Sequence, residues 1–133
     1  MIKLLIGGKG SGKTKALIEL ANKAVVETKG SVVCIEKGDT LKLDVSSKAR
    51  LVDAGAYSIG CGACFYGFVA GILASNYDIT DILIDSSMKL CGGDVAAFET
   101  FVSRLDAISA DVNVVISASI PVEELPESLK KYV

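Results

Sequence analysis

One short stretch near the N-terminus restricts this chain more than any other. The short apolar run Met1 to Ile6 leads directly into GGKGSGKT, Gly7 to Thr14. These residues match G-x-x-x-x-G-K-[ST], the Walker A phosphate-loop pattern, at every specified position. A loop surrounds several phosphate oxygens only if its main-chain N–H groups turn inward, which favours residues without a Cβ. Gly8, Gly10 and Gly12 are placed to permit that curl. A helix starting at about Lys13 then aims unpaired N–H groups and its positive dipole end at the same anion.

The expected nucleotide contacts are therefore Gly8, Lys9, Gly10, Ser11, Gly12, Lys13, Thr14 and Lys15. Lys13 supplies a point charge for the β and γ oxygens, a catalytic role. Thr14 offers a hydroxyl to Mg²⁺, which takes one or two protein ligands beside phosphate oxygens and water. The expected cofactors are ATP, or another nucleoside triphosphate, and Mg²⁺.

Beyond the loop, the chain alternates between two periodicities. Ala16, Leu17, Leu20, Ala21 and Ala24 share one face of a helix from Lys13 to about Thr28, with Glu19 and Lys23 as an i,i+4 pair and Gly30 as a stop. SVVCIE, Ser31 to Glu36, reads as a strand before the turn-like KGDT. The segment from Asp39 to Lys48 is polar and fits no template. Arg50 to Ala54 reads as a short strand, and Gly60 to Asn76 as a helix apolar nearly all round, either sandwiched in the core or covered by a partner. In that helix Gly67 and Gly71 would permit close backbone approach.

Thr80 to Asp85 is a further strand. Asp94 caps a helix to about Ala110, with Val95, Phe98, Phe101, Val102, Leu105 and Ile108 inward. Asp111 to Ala118 is the last apolar strand, and Pro121 opens a final helix through Val122, Leu125, Leu129 and Tyr132. Apolar strands alternating with helices predict one α/β domain over residues 1–133, a three-layer α/β/α P-loop fold with a mainly parallel sheet of about five strands.

Composition removes several alternatives. Net charge is −2 and the only arginines are Arg50 and Arg104, so no surface built to neutralise many nucleic-acid phosphates is encoded. The apolar stretch Ala63 to Ala74, which has neither a charged residue nor a strongly polar one, is too short to span a bilayer. With a strand from the second residue leaving no room for a signal peptide, a cytoplasmic protein is expected, without nucleic-acid or membrane partners. A nucleotide-using protein sits in a reducing compartment, so free thiols are expected.

The phosphate loop needs a second half. ILID, ending in Asp85, is an apolar strand closed by an acid that would hold magnesium directly or through water, but Ser86 stands where many P-loop ATPases have a glutamate that activates water. In its order of elements the chain resembles RecA-type ATPase cores, through GGKGSGKT, VVCIE ending in Glu36, and ILIDSS with Asp85-Ser86. That resemblance implies that Glu36 activates the attacking water and that Ser117 or Ser119 senses the γ-phosphate. It covers a minimal core, without the DNA-binding loops and flanking domains of a recombinase. The chain is also similar to small stand-alone bacterial P-loop proteins with a twitching-motility ATPase label. The secretion ATPases behind that label have histidine motifs, and this chain has no histidine.

Other P-loop branches fit less well. Gly8 stands where ParA- and MinD-type proteins have a signature lysine, no NKxD guanine-reading segment occurs, and two arginines are few for a nucleotide kinase. Type II thymidine kinases carry two CxxC pairs, and here there is one, Cys61-Gly-Ala-Cys64. It reads as a redox pair, half a zinc site, or buried idle thiols; its apolar surroundings favour the last. Three functions remain: a slow or partner-activated ATPase that draws on a protein partner or self-association, a non-hydrolysing nucleotide switch, and a small-substrate kinase.

Overall fold

Every strand in this chain runs in the same direction. The computed structural model describes residues 1–133, with strands β1 (Ile2–Ile6), β2 (Ser31–Glu36), β3 (Arg50–Asp53), β4 (Ile79–Ile84) and β5 (Asn113–Ala118). They form one parallel sheet in the order β1-β5-β4-β2-β3. The α-helices are α1 (Lys13–Glu27), α2 (Gly62–Ser75), the single turn α3 (Ser87–Leu90) and α4 (Val95–Ile108). None is long and apolar enough to cross a membrane.

The strands read as continuous apolar runs because both faces of the sheet are covered. Alternate residues go to opposite sides, as the pleat requires. Val32, Cys34 and Leu83 pack with Leu17 and Ala21 of α1, whereas Val33, Ile35, Ile82, Ile84, Val114 and Ile116 pack on the other side with α2 and α4. Three layers, α/β/α, result. The α2–α4 side holds the larger core, where Phe65 stacks on Phe101 with ring centroids 4.7 Å apart. Truncating either ring to alanine there costs about 3–5 kcal/mol.

Several local expectations meet a different outcome. The segment that fitted no template contains a 3-10 turn, Thr40–Leu43, and its Leu41 and Val45, with Ala49 just beyond it, close the α1-side core. No final α-helix forms. Two 3-10 turns, Val122–Glu124 and Glu127–Tyr132, flank Pro126, whose ring removes an N–H and forces Leu125 into an extended conformation. Leu125 and Leu129 are nonetheless buried against the α2–α4 side.

Ile108, expected inward, is exposed at the end of α4. Glu19 and Lys23 form no ion pair; the ion pairs present are Lys42–Asp39 and Lys130–Glu127. Gly67 and Gly71 approach nothing, and the close contact of α2 is instead at Gly62, where a Cβ would lie 3.1 Å from Ala97 O of α4. Cys61 and Cys64, read as buried thiols, are exposed and joined by a disulfide. At the start of α2, Cys61, Ala63 and Cys64 lie on the exposed side while Gly62 and Phe65 face the core, and the cysteine spacing brings the two sulfurs onto one face.

Candidate functional site

The carboxyl ends of parallel strands lie at one edge of the sheet, and the loops leaving them meet there. The loop after β1 is glycine-rich and ends at Gly12, the N-cap of α1, which has a left-handed φ of 85°. Gly10 is left-handed too, with φ 80°, as is appropriate to residues without a Cβ. Gly8, assigned to the curl by sequence, has no positive φ; Gly7 has. With glycine as its N-cap and no acid in its first turn, α1 starts without a side chain to accept its leading N–H groups.

Inside the loop, Lys13 Nζ donates to Gly8 O at 2.8 Å and to Ser11 Oγ at 3.3 Å. The lysine thereby closes the curl on itself. Thr14, one residue on, reaches across the sheet edge, and its Oγ1 donates to Asp85 Oδ2 at 3.3 Å.

Sheet register explains that meeting. Ile84 is opposite Ile116, so the next residues, Asp85 and Ser117, are level with each other, and Ser117 is itself opposite Leu5 of β1. Ser117 Oγ donates to Asp85 Oδ1. Both oxygens of the carboxylate are therefore engaged, one from each neighbouring element. Buried Ser87 donates in turn from Oγ to Ser117 O, fixing the start of α3 to the end of β5. Between them Ser86 is left-handed, φ 60°, a conformation that costs a non-glycine residue about 1–2 kcal/mol and often marks a working loop.

These groups border an open cleft of about 440 Å³ lined by Lys9, Gly10, Lys13, Thr14, Asp85, Ser86, Ser87, Met88, Lys89, Ser117 and Ser119. Three lysines face one carboxylate, so the cleft favours an anion. Of the sequence-derived site residues, Lys9, Gly10, Lys13, Thr14 and Asp85 are brought together here. Gly8, Ser11 and Gly12 shape the loop without lining the cleft, and Lys15 is exposed on the first turn of α1 outside it. Ser117 and Ser119, the two serines singled out by the resemblance, also line it.

Glu36 is not brought in. Register places it beside Asp85, since Ile35 is opposite Ile84. It is only 4% exposed, and its two oxygens accept from Thr40 Oγ1 at 2.7 Å and from Leu41 N at 2.9 Å. The carboxylate caps the 3-10 turn that starts at Thr40. Sequence reasoning missed Ser87, Met88 and Lys89, because a single helical turn is too short to show periodicity.

No group of three or more acidic or cysteine side chains that could hold a metal by itself is present. A hard cation with oxygens at 2.0–2.1 Å places neighbouring ligands about 3 Å apart. The Thr14 and Asp85 oxygens, 3.3 Å apart, fit two adjacent positions around such an ion, with a bound anion and water completing the set. Neither Arg50 nor Arg104 lines the cleft; the Arg104 guanidinium lies over the Tyr66 ring, 3.9 Å from its centroid. No protein-family model matches the chain, and no curated protein is significantly similar to it in sequence.

Proposed function

We propose that the chain binds a nucleoside triphosphate, in the first instance ATP, as its magnesium complex in the cleft between the Gly7–Thr14 loop and the ends of β4 and β5. The observation that carries this reading is the Thr14–Asp85 contact. It joins the hydroxyl of the phosphate-loop pattern to the one carboxylate in the cleft, beside Lys9 and Lys13. In this reading the amides at the start of α1 and the lysines hold phosphate oxygens, and Thr14 and Asp85 hold Mg²⁺. The ion neutralises charge that develops on the phosphates during transfer.

Hydrolysis by the isolated protein is slow in this reading. Asp85 is committed to Thr14 and Ser117, Glu36 to Thr40 and Leu41, and no arginine reaches the cleft. A protein partner, or a second copy, that brings a cation or a base to the open side would accelerate it. The Glu36 hydrogen bonds equally favour a second reading, a nucleotide-dependent switch without turnover.

Calorimetry with Mg-ATP, Mg-GTP, Mg-ADP and Mg-GDP tests binding, base choice and γ-phosphate sensing together. Micromolar or tighter binding of at least one triphosphate, lost in Lys13→Ala, is expected. No heat with any of the four, or unchanged binding by Lys13→Ala, would falsify the reading. Single-turnover phosphate release separates the ATPase from the switch.

A further inference from the structure

The Cys61–Cys64 disulfide lies outside the cleft, and the proposed function makes no use of it. Both residues are exposed, whereas Cys34 and Cys91 are buried free thiols. Cys61 is the N-cap of α2, and its Sγ accepts the main-chain N–H of Cys64 at 3.1 Å. The first turn of that helix holds no acidic residue. A bond across a sequence separation of 3 removes little freedom from the unfolded chain, because loop-closure entropy grows with loop length. Such a bond does little as a structural staple.

We infer that Cys61 and Cys64 form a redox-active pair that exchanges its disulfide with dithiols. One thiolate of the dithiol attacks Cys64 Sγ and bonds to it. The Cys61–Cys64 bond breaks, and its electron pair leaves on Cys61 Sγ, where the Cys64 N–H and the positive end of α2 stabilise the charge. The second thiolate of the dithiol then attacks its own sulfur in the mixed disulfide and releases Cys64 as a thiolate. Both cysteines take up the protons that the dithiol has lost. The dithiol ends as a disulfide, oxidised by two electrons, and the protein pair ends as two thiols.

The surroundings let this happen without unfolding. Phe65 and Val69, one and two turns further along α2, are fully buried, and Gly62 sits against Ala97 of α4. The helix start is held from beneath while both sulfurs face solvent.

The test uses the native protein, equilibrated across a series of reduced-to-oxidised glutathione ratios or treated with dithiothreitol, then alkylated and weighed by mass spectrometry. In the glutathione series two glutathione molecules take the places of the two dithiol sulfurs. The expected result is that Cys61 and Cys64 gain alkyl groups together, with a midpoint inside the series and full reduction by dithiothreitol, while Cys34 and Cys91 stay unmodified. A pair that stays bonded at every ratio, reduces only in denaturant, or never bonds at all overturns the inference. For direction, Cys61 in Cys64→Ser should alkylate at pH 7 about tenfold faster than Cys64 in Cys61→Ser. Equal rates overturn the role given to Cys61. The wild-type titration stands whether or not either variant folds.

Discussion

Thr14 Oγ1 lies 3.3 Å from Asp85 Oδ2 across a sequence separation of 71 residues. The contact closes one side of the cleft, and it is bordered on both sides by strand ends that cannot slip without turning every apolar residue of β4 or β5 to the wrong face. Asp85→Asn keeps the shape of the side chain and removes its charge. Mg-ATP affinity should fall about tenfold to a hundredfold, the usual scale of a charge-assisted contact, while binding measured with the magnesium chelated should change little. Calorimetry with and without EDTA checks both arms; equal losses in the two would remove Asp85 from the cation site.

Glu36 provides a contrasting case. Its carboxylate accepts from Thr40 Oγ1 and Leu41 N while nearly excluded from water. Glu36→Gln leaves one oxygen for two donors and turns an amide donor toward one of them, which should cost about 1–3 kcal/mol. The urea midpoint should drop with nucleotide affinity unaltered. If phosphate release slows by a hundredfold or more while the midpoint holds, Glu36 works on water instead of on the turn.

Two buried thiols make stability depend on alkaline pH. Burial, and secondly the Glu36 carboxylate, push Cys34 up to about 12; burial, and secondly Asp94, do the same to Cys91. A thiol whose folded pKa is raised favours the native state fully while both forms are protonated, and that advantage drains away as pH climbs from its unfolded value toward the folded one. Stability should be level up to about pH 8 and decline between about 9 and 12, by at most about 1.4 kcal/mol per pH unit for each thiol. Urea midpoints at pH 8 and pH 10 report the slope. Cys34→Ala with Cys91→Ala should flatten it, and an unchanged slope would assign it to other groups.

Lys89 is the cleft cation that comes from neither the glycine-rich loop nor its helix. It is exposed, so its charge is screened, and Lys89→Ala should weaken triphosphate binding by only about twofold to fivefold. The effect should shrink further at high salt. A loss as large as that from Lys13→Ala would mean that α3 closes over the ligand.

Much of the layered fold could be read from the chain because its elements announce themselves at both ends. Asp94 accepts from the N–H groups of Ala96 and Ala97, as expected of an N-cap, and Ser31–Glu36 is apolar through to a turn. Gly30 illustrates a signal with a different cause. Helix α1 already ends at Glu27 with Thr28 as its C-cap, whereas a Cβ at Gly30 would lie 2.0 Å from Asp78 O, so the approach of the chain entering β4 is what requires the glycine.

One misreading is local and the others lie in tertiary context. Leu125 and Leu129 are buried and keep helical spacing, yet Pro126 between them breaks the helix that the spacing promised. Glu36 ends its strand where a water-activating acid would stand, but nothing in VVCIE tells that Thr40 and Leu41 will claim its oxygens. The burial of Cys34 and the exposure of Cys61 likewise depend on which surface each element turns to its neighbours, and apolar content alone does not encode that.

Strand β5, the last in sequence, lies between β1 and β4, the strands that lead into the glycine-rich loop and Asp85. While the chain is being made, its first strand and its fourth therefore have no edge to share until residues 113–118 have left the ribosome. A nascent chain carrying GGKGSGKT stays without its Thr14–Asp85 clasp until synthesis has passed Ala118. The cleft, on this topology, is completed in one step late in translation, and any product truncated before β5 lacks it.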